Sequence, residues 1–380
     1  MKQKLPFKVW EYEDQTKMKH KVFADYFDKW VKIVGKYYNL NYFDCYGGCG
    51  AYKDKDKNIY YGSPILAAQI AEKNGLNLKR KVKLVIIDNK RENIENIKKI
   101  LTHLKLRVEP VFINDDFDKT INKILDSMDK LAPSFFFIDP FGYKIKITTL
   151  KRIMKRPRTE ILLTFMFNAI NRFLIHKPVR DTLIELFGCD DWKHFCHKKG
   201  QCREEAIVDL YRTKLKEFSR FVSYYRFSFP EKKRTYYYLF HITNHIKGCS
   251  VMKSCFAKYN FGRTEYRGKL SGQMTFFDYD SIKQQDIKNI ILLILDKPKS
   301  YLKILEELID ETPYLKSNIT KAIKDLEEKG KIYIKREPET TPTGRPRISL
   351  QNQDVIIKKE VECEKNKEEK SLVSERGGVC

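Results

Sequence analysis

The sequence predicts an α/β protein with a Rossmann-like, doubly wound, mostly parallel sheet, followed by a small second domain. Three observations carry this expectation. Short apolar strands alternate with helices of 3.6-residue period between Thr16 and Phe165. A glycine-rich turn, Cys45-Tyr46-Gly47-Gly48-Cys49-Gly50, follows the first strand. Four consecutive strands lead into the acids Asp44, Asp88, Asp116 and Asp139.

Each element has its own signal. Val22, Phe23, Tyr26, Phe27, Trp30, Ile33 and Val34 recur at three- and four-residue steps, predicting a helix from Thr16 to about Lys36. Leu40 to Asp44 is the first strand, and residues 51–62 are read as a polar insertion. Ser63-Pro64 marks a helix start and Gly75 its end. Lys83–Asp88, Val108–Ile113, Ser134–Asp139 and Glu160–Phe165 are the next strands, with helices between them. Residues 168–206 interrupt the alternation with a cysteine- and histidine-bearing stretch. A helix over Glu204–Phe218 resumes it, followed by an antiparallel pair, Phe221–Phe229 and Tyr236–Thr243, and a helix from about Asn244 to Tyr259. The first domain is placed at 1–280. The second, 281–350, reads as helices Ile287–Leu295, Tyr301–Asp310 and Ser317–Lys329 with a basic hairpin whose second strand is 346–350, a winged-helix pattern. Residues 351–380 are charged and aperiodic and are expected to be a disordered tail.

Composition narrows the function classes. A 42% hydrophobic share over 380 residues is enough for one large core or two. No run of about 18 apolar residues exists and the start has no apolar signal region, so a cytoplasmic protein without a membrane span is expected. The net charge of +24 points to a polyanionic partner, nucleic acid, although a lysine-rich composition alone produces such a surplus. Nine cysteines without a CxxC pair read as reduced thiols. Cys189, Cys196 and Cys202 lie within 14 residues of one another, with His194 and His197 between them. Their spacing does not fit a zinc knuckle, so no metal is assigned, though binding by these three cysteines stays open.

Glycines at Gly47, Gly48 and Gly50 let backbone approach a ligand where a Cβ would clash. Asp88 is placed to accept bonds from ribose hydroxyls. The gap from Gly48 to Asp88 is 40 residues, against an ordinary spacing of about 20, and the polar insertion accounts for the excess. No helix starts on the turn to hold a pyrophosphate. Asp116 with Phe117 suits an adenine. Asp139-Pro140-Phe141-Gly142-Tyr143 follows the fourth strand, at the edge where open α/β sheets bind ligands.

This four-part pattern resembles the S-adenosylmethionine-dependent methyltransferases. More closely, residues 16–280 resemble the prokaryotic three-Cys-motif partner family. The resemblance rests on Lys19-His20, Asp44 to Gly50 with Tyr52, Gly62-Ser63-Pro64, Phe137 to Tyr143, Arg158-Thr159-Glu160, Asn171-Arg172-Phe173, Thr243-Asn244-His245 and Met252-Lys253. Cys45 and Cys49 depart from the D-G-F-A-G-P-G turn of that family. The resemblance implies S-adenosylmethionine as cofactor, held by Asp44, Gly47, Gly48, Gly50, Asp88, Asp116 and Phe117. It is similar to the amino-group methyltransferases that act on nucleobases. By that likeness Asp139 and Pro140 would orient the target amine, and Phe141 or Tyr143 would stack on the base. The alternative it leaves is a non-catalytic partner of a three-Cys-motif protein with a vestigial cofactor site. In the second domain, Lys321, Lys324, Lys335, Arg336, Arg345 and Arg347 are the expected nucleic-acid contacts.

Overall fold

The computed structural model describes residues 5–75, 81–128, 130–228, 234–259, 264–265 and 284–359. The chain divides into two units, Met1–Ser281 with Ile309–Leu315, and Ile282–Leu308 with Lys316–Cys380.

In chain order the first unit begins with β1 (Trp10–Glu11), α1 (Asp14–Val34), β2 (Leu40–Asp44), β3 (Ala51–Lys53) and β4 (Ile59–Tyr61). Next come α2 (Ser63–Gly75), β5 (Val82–Ile87), α3 (Arg91–His103), β6 (Val111–Ile113) and α4 (Phe117–Ser127). β7 (Ser134–Ile138), α5 (Ile147–Met154), β8 (Thr159–Phe165), α6 (Phe167–Phe173), α7 (Arg180–Phe187) and α8 (Gly200–Lys216) follow. β9 (Phe221–Ser228), β10 (Thr235–Thr243), α9 (Ile246–Lys258) and β11 (Thr264–Glu265) complete the series.

The main sheet has the order β11-β9-β10-β8-β7-β2-β5-β6. From β8 to β6 every pairing is parallel. β10 enters antiparallel beside β8, and β9 runs antiparallel to β10. β7 and β8 are buried on both faces along their whole length, which is why Phe135–Ile138 and Ile161–Leu163 read as unbroken apolar runs. Alternate side chains split between two cores: Tyr42, Phe135 and Phe137 pack under α1, α2, α3 and α9, whereas Phe43, Phe136 and Ile138 pack under α4, α5, α7 and α8. Phe43 and Phe136 stack with ring centroids 4.4 Å apart. Helices therefore cover both faces, as the alternation predicts.

Residues 51–62 are more than a polar insertion. β3 and β4 form a hairpin, and β1 joins β3 in parallel to make a separate three-stranded sheet. Tyr52 and Tyr60 on this hairpin pack against Tyr12, whose ring lies 5.1 and 4.9 Å from theirs. The lysines and aspartates of the connection, residues 54–57, hide the signal of two strands of only three residues each.

Ile309–Leu315 belongs to the first unit. The buried guanidinium of Arg212 pairs with Asp310 and Glu311 at 3.0 Å. The buried Lys253 donates to the carbonyls of Ile309, Thr312 and Tyr314 at 2.6–2.8 Å. A buried cation is stable only with such partners.

The second unit contains α10 (Gln284–Ile294), β12 (Lys299–Ser300), α11 (Tyr301–Leu308), α12 (Lys316–Glu328), β13 (Ile332–Lys335) and β14 (Val355–Lys358). Its sheet order is β12-β14-β13. The strand that pairs with β13 is thus 355–358, not 346–350, and ordered structure continues past residue 350. Val355, Ile356 and Ile357 sit in a stretch whose charge suggests a tail, yet Ile356 is fully buried. The remainder of the expected tail, 360–380, and most of the expected bridge 262–280 lie outside the described residues.

Candidate active site

β2 lies between β5 and β7. The chain leaves β2 toward β5 and β6, then crosses back to β7, so the carboxyl edge of β2 is a topological switch point where a crevice opens.

Asp44 ends β2 and is fully buried. Tyr42 Oη donates to its Oδ2 at 2.8 Å, while Oδ1 has no hydrogen bond of acceptable geometry. Burial pushes this carboxyl up to about 7, against the opposing pull of the Ser63 and Tyr42 hydroxyls. Its folded value therefore exceeds the ordinary 3.8, and the unfolded chain releases the proton first. Stability from this group is fully present below about pH 4 and is lost as pH rises through about 7. Asp44→Asn removes that loss. The melting-temperature gain of the variant over the parent is expected to grow from pH 5 to pH 8 by at least roughly 2 °C, measured by thermal denaturation; a gain independent of pH would refute it.

The turn after β2 is shaped by its glycines. Gly48 and Gly50 adopt φ of +60° and +79°, in the left-handed region. Gly48 N–H donates to Asp88 Oδ2 at 2.8 Å. The other oxygen of Asp88 accepts from Lys90 N and Asn93 Nδ2 at 2.8 and 3.1 Å. Asp88 thus holds the turn directly. Asn96, one helical turn on, donates to the carbonyl of Cys49 at 2.7 Å. Asn93 and Asn96 are site residues that the motifs do not single out. Two buried amides on the otherwise apolar face of α3 are the available signal, since such groups must find partners.

Asp139 follows β7. Its carboxylate takes an ion pair from Lys19 Nζ at 2.5 Å. Lys19 and His20 are both buried, not on a solvated face of α1. Burial and the neighbouring Lys19 charge lower His20 to about 3, so it is neutral, and its Nδ1 lies 3.1 Å from Tyr12 Oη. Pro140 is buried, whereas Phe141 is 76% exposed. The Phe141 ring meets Trp10 edge-on at 5.4 Å. Trp10 also lies over Gly48, where an added Cβ would come within 3.6 Å of the indole. Trp10 therefore links the Asp139 loop to the glycine turn. Tyr143 is half-buried and turned to Phe173 at 6.1 Å.

The other expected residues are placed differently. Asp116 is exposed and caps α4, accepting from Lys119 N at 3.0 Å. Phe117 is only 2% exposed and belongs to the core, with Tyr46 5.5 Å away, so its ring offers no face to a ligand. Cys189, Cys196 and Cys202 are free thiols, and among the described residues no group of three His, Cys, Asp or Glu converges on a metal position. In the second unit Arg347 is buried against Asp354, at 2.9 Å from its Oδ2, and Arg336 is held bidentate by Glu327 at 2.6 Å. Both guanidiniums are committed to carboxylates. Lys321, Lys335 and Arg345 are exposed and Lys324 is half-buried.

No protein-family model matches this chain, and no curated protein matches it. Some solved structures are similar to this chain over part of its length. A Legionella pneumophila protein described by the family model DUF519 is 14% identical with a TM-score of 0.42, over 67% of this chain and 95% of that one. An Agrobacterium tumefaciens SAM-dependent methyltransferase is 11% identical with a TM-score of 0.36, over 59% and 61%. A Streptococcus thermophilus rRNA methylase is 9% identical with a TM-score of 0.30, over 58% and 93%. The chain's own topology defines its class: a Rossmann-like, doubly wound α/β domain with a mostly parallel sheet. No helix among the described residues is long and apolar enough to cross a membrane.

Proposed function

We propose that the first unit is an S-adenosylmethionine-dependent methyltransferase acting on the exocyclic amine of a nucleic-acid base. One observation carries the reading: the Asp139 carboxylate and the exposed Phe141 ring stand at the switch-point edge, joined to the glycine turn through Trp10. The residues of the turn fit the cofactor. Asp44 Oδ1 is a buried acceptor without a partner, suited to a cationic or N–H group. Asp88, with three donors already on it, keeps one acceptor site for a ribose hydroxyl, and Asp116, the exposed cap of α4, is offered to the adenine amine. When bound, S-adenosylmethionine supplies an electrophilic methyl group. Asp139 and the Pro140 carbonyl accept the N–H bonds of the target amine, and Phe141 stacks on the extruded base. Lys19 orients Asp139 through the ion pair. The protein's contribution is positioning.

A second reading is favoured by the same ion pair. If Lys19 keeps Asp139 occupied, the site is vestigial and the protein is a nucleic-acid-binding partner of a three-Cys-motif protein. Calorimetric titration with S-adenosylmethionine separates the two. Binding, with methyl transfer to RNA or DNA, supports the enzyme; no binding sinks it.

The second unit is proposed to be a winged helix that recruits nucleic acid through Lys321 and Lys324 of α12 and through Lys335 and Arg345. Replacing Lys335 and Arg345 together by Ala is expected to reduce the slope of log affinity against log salt by about 0.9 for each phosphate that is no longer neutralised. Fluorescence anisotropy with a DNA duplex and a structured RNA reads this, and an unchanged slope would show that the wing does not touch phosphate.

A further inference from the structure

The opposite, amino-terminal edge of the main sheet borders a cavity of about 390 Å³, within the roughly 300–1,000 Å³ range of small-molecule sites. Its floor is Tyr26 and Trp30 of α1, Glu160 of β8 and Gly248 of α9. Asp44 and Asp139 lie at the other ends of their strands, so this cavity is separate from the candidate active site.

Glu160 is 7% exposed. Its Oε2 accepts from Tyr26 Oη and lies 3.0 Å from His241 Nε2. Among the described residues, no hydrogen bond reaches Oε1. A Cβ on Gly248 would stand 2.7 Å from that oxygen, so the glycine leaves it open. A carboxylate oxygen open to a cavity and without a donor among the described residues is an acceptor for a ligand N–H. The rim has the opposite character. Arg158 is exposed and stacks its guanidinium 4.7 Å from the Tyr38 ring centroid. Its φ of +56° lies in the region that favours glycine, so strain is retained where the side chain sits at the cavity mouth. Lys247 adds a second cation. His245 accepts from Lys247 N–H through Nδ1 at 3.1 Å, which leaves Nε2 as an N–H donor.

An acceptor at the floor, aromatic walls and two cations at the rim match one ligand chemistry. We propose that this cavity binds a nucleotide, with a base N–H on Glu160, the base against the Tyr and Trp rings, and the phosphate on Arg158 and Lys247. The rim cations disfavour a cationic ligand. The same chemistry comes from a free mononucleotide or from an unpaired nucleotide of a strand. The proposal does not depend on the methyl-transfer reading.

The test titrates the full chain calorimetrically with AMP, GMP, CMP, UMP and a short single-stranded RNA, with S-adenosylhomocysteine saturating the glycine turn. Binding of at least one is expected. A tighter mononucleotide marks a free ligand, and a tighter RNA marks a strand. Arg158→Gly relieves the backbone strain, so its melting temperature is expected to equal or exceed that of the parent. Its affinity for the phosphate-bearing ligand is expected to fall about tenfold, the effect of removing one charge-assisted hydrogen bond. Glu160→Gln is expected to change which base is preferred. No heat with any of these ligands, or parental affinity in Arg158→Gly, overturns the proposal.

Discussion

Asp139→Asn is expected to reduce methyl transfer by roughly 10²–10³-fold while leaving S-adenosylmethionine affinity essentially unchanged. On the proposed reading the carboxylate accepts a hydrogen bond from the amine, which becomes more acidic as the new N–C bond forms. An amide of the same shape retains the position but gives up the charge, so the loss falls on the transition state. Asn is preferred to Ala because Lys19, with a side chain only 9% exposed, would otherwise keep a buried charge facing a void. Single-turnover transfer and calorimetry measure the two quantities separately. A variant that loses cofactor affinity and melting temperature together, with turnover retained, would assign Asp139 a structural role.

Gly50→Ala is expected to cost about 1–2 kcal/mol from the left-handed backbone and a further ~1–3 kcal/mol from overpacking. At φ +79°, the new Cβ would lie 2.9 Å from Ile97 Cγ1 and 3.2 Å from Ile100 Cδ1. Both isoleucines are fully buried on α3, so neither has room to move. Gly48→Ala shares the backbone cost at φ +60°, but its Cβ would meet only ordinary neighbours at 3.6 Å and beyond. Urea denaturation should therefore rank Gly50→Ala well below Gly48→Ala in stability. Equal losses would show that backbone conformation alone requires these glycines.

Much of the fold is legible in the sequence because its signals are local. Phe135, Phe136, Phe137 and Ile138 form an unbroken apolar run, and a strand buried on both faces has no polar position to spare. The β3–β4 hairpin is hidden because its strands are three residues long and the connection between them is lysine and aspartate. β14 is lost in a charged stretch because four residues carry little periodicity. The site is partly legible. Asp44, Asp88 and Asp139 stand out as strand-end acids, and the structure gathers them around one turn. Phe117 and Arg347 mislead, because an aromatic beside an acid and an arginine in a basic run look the same whether buried or exposed.

The sequence by itself determined the alternation of the main-sheet strands with their helices, the position of the glycine turn and the acids that follow the strands. These depend on neighbours within a few residues. Only the tertiary structure decided that β10 inserts antiparallel beside β8, that Lys19 reaches Asp139 across 120 residues, and that Asp88 ties down Gly48. Ion pairs and buried hydrogen bonds form wherever packing brings a charge to its partner, and that distance in space leaves no mark on the spacing along the chain.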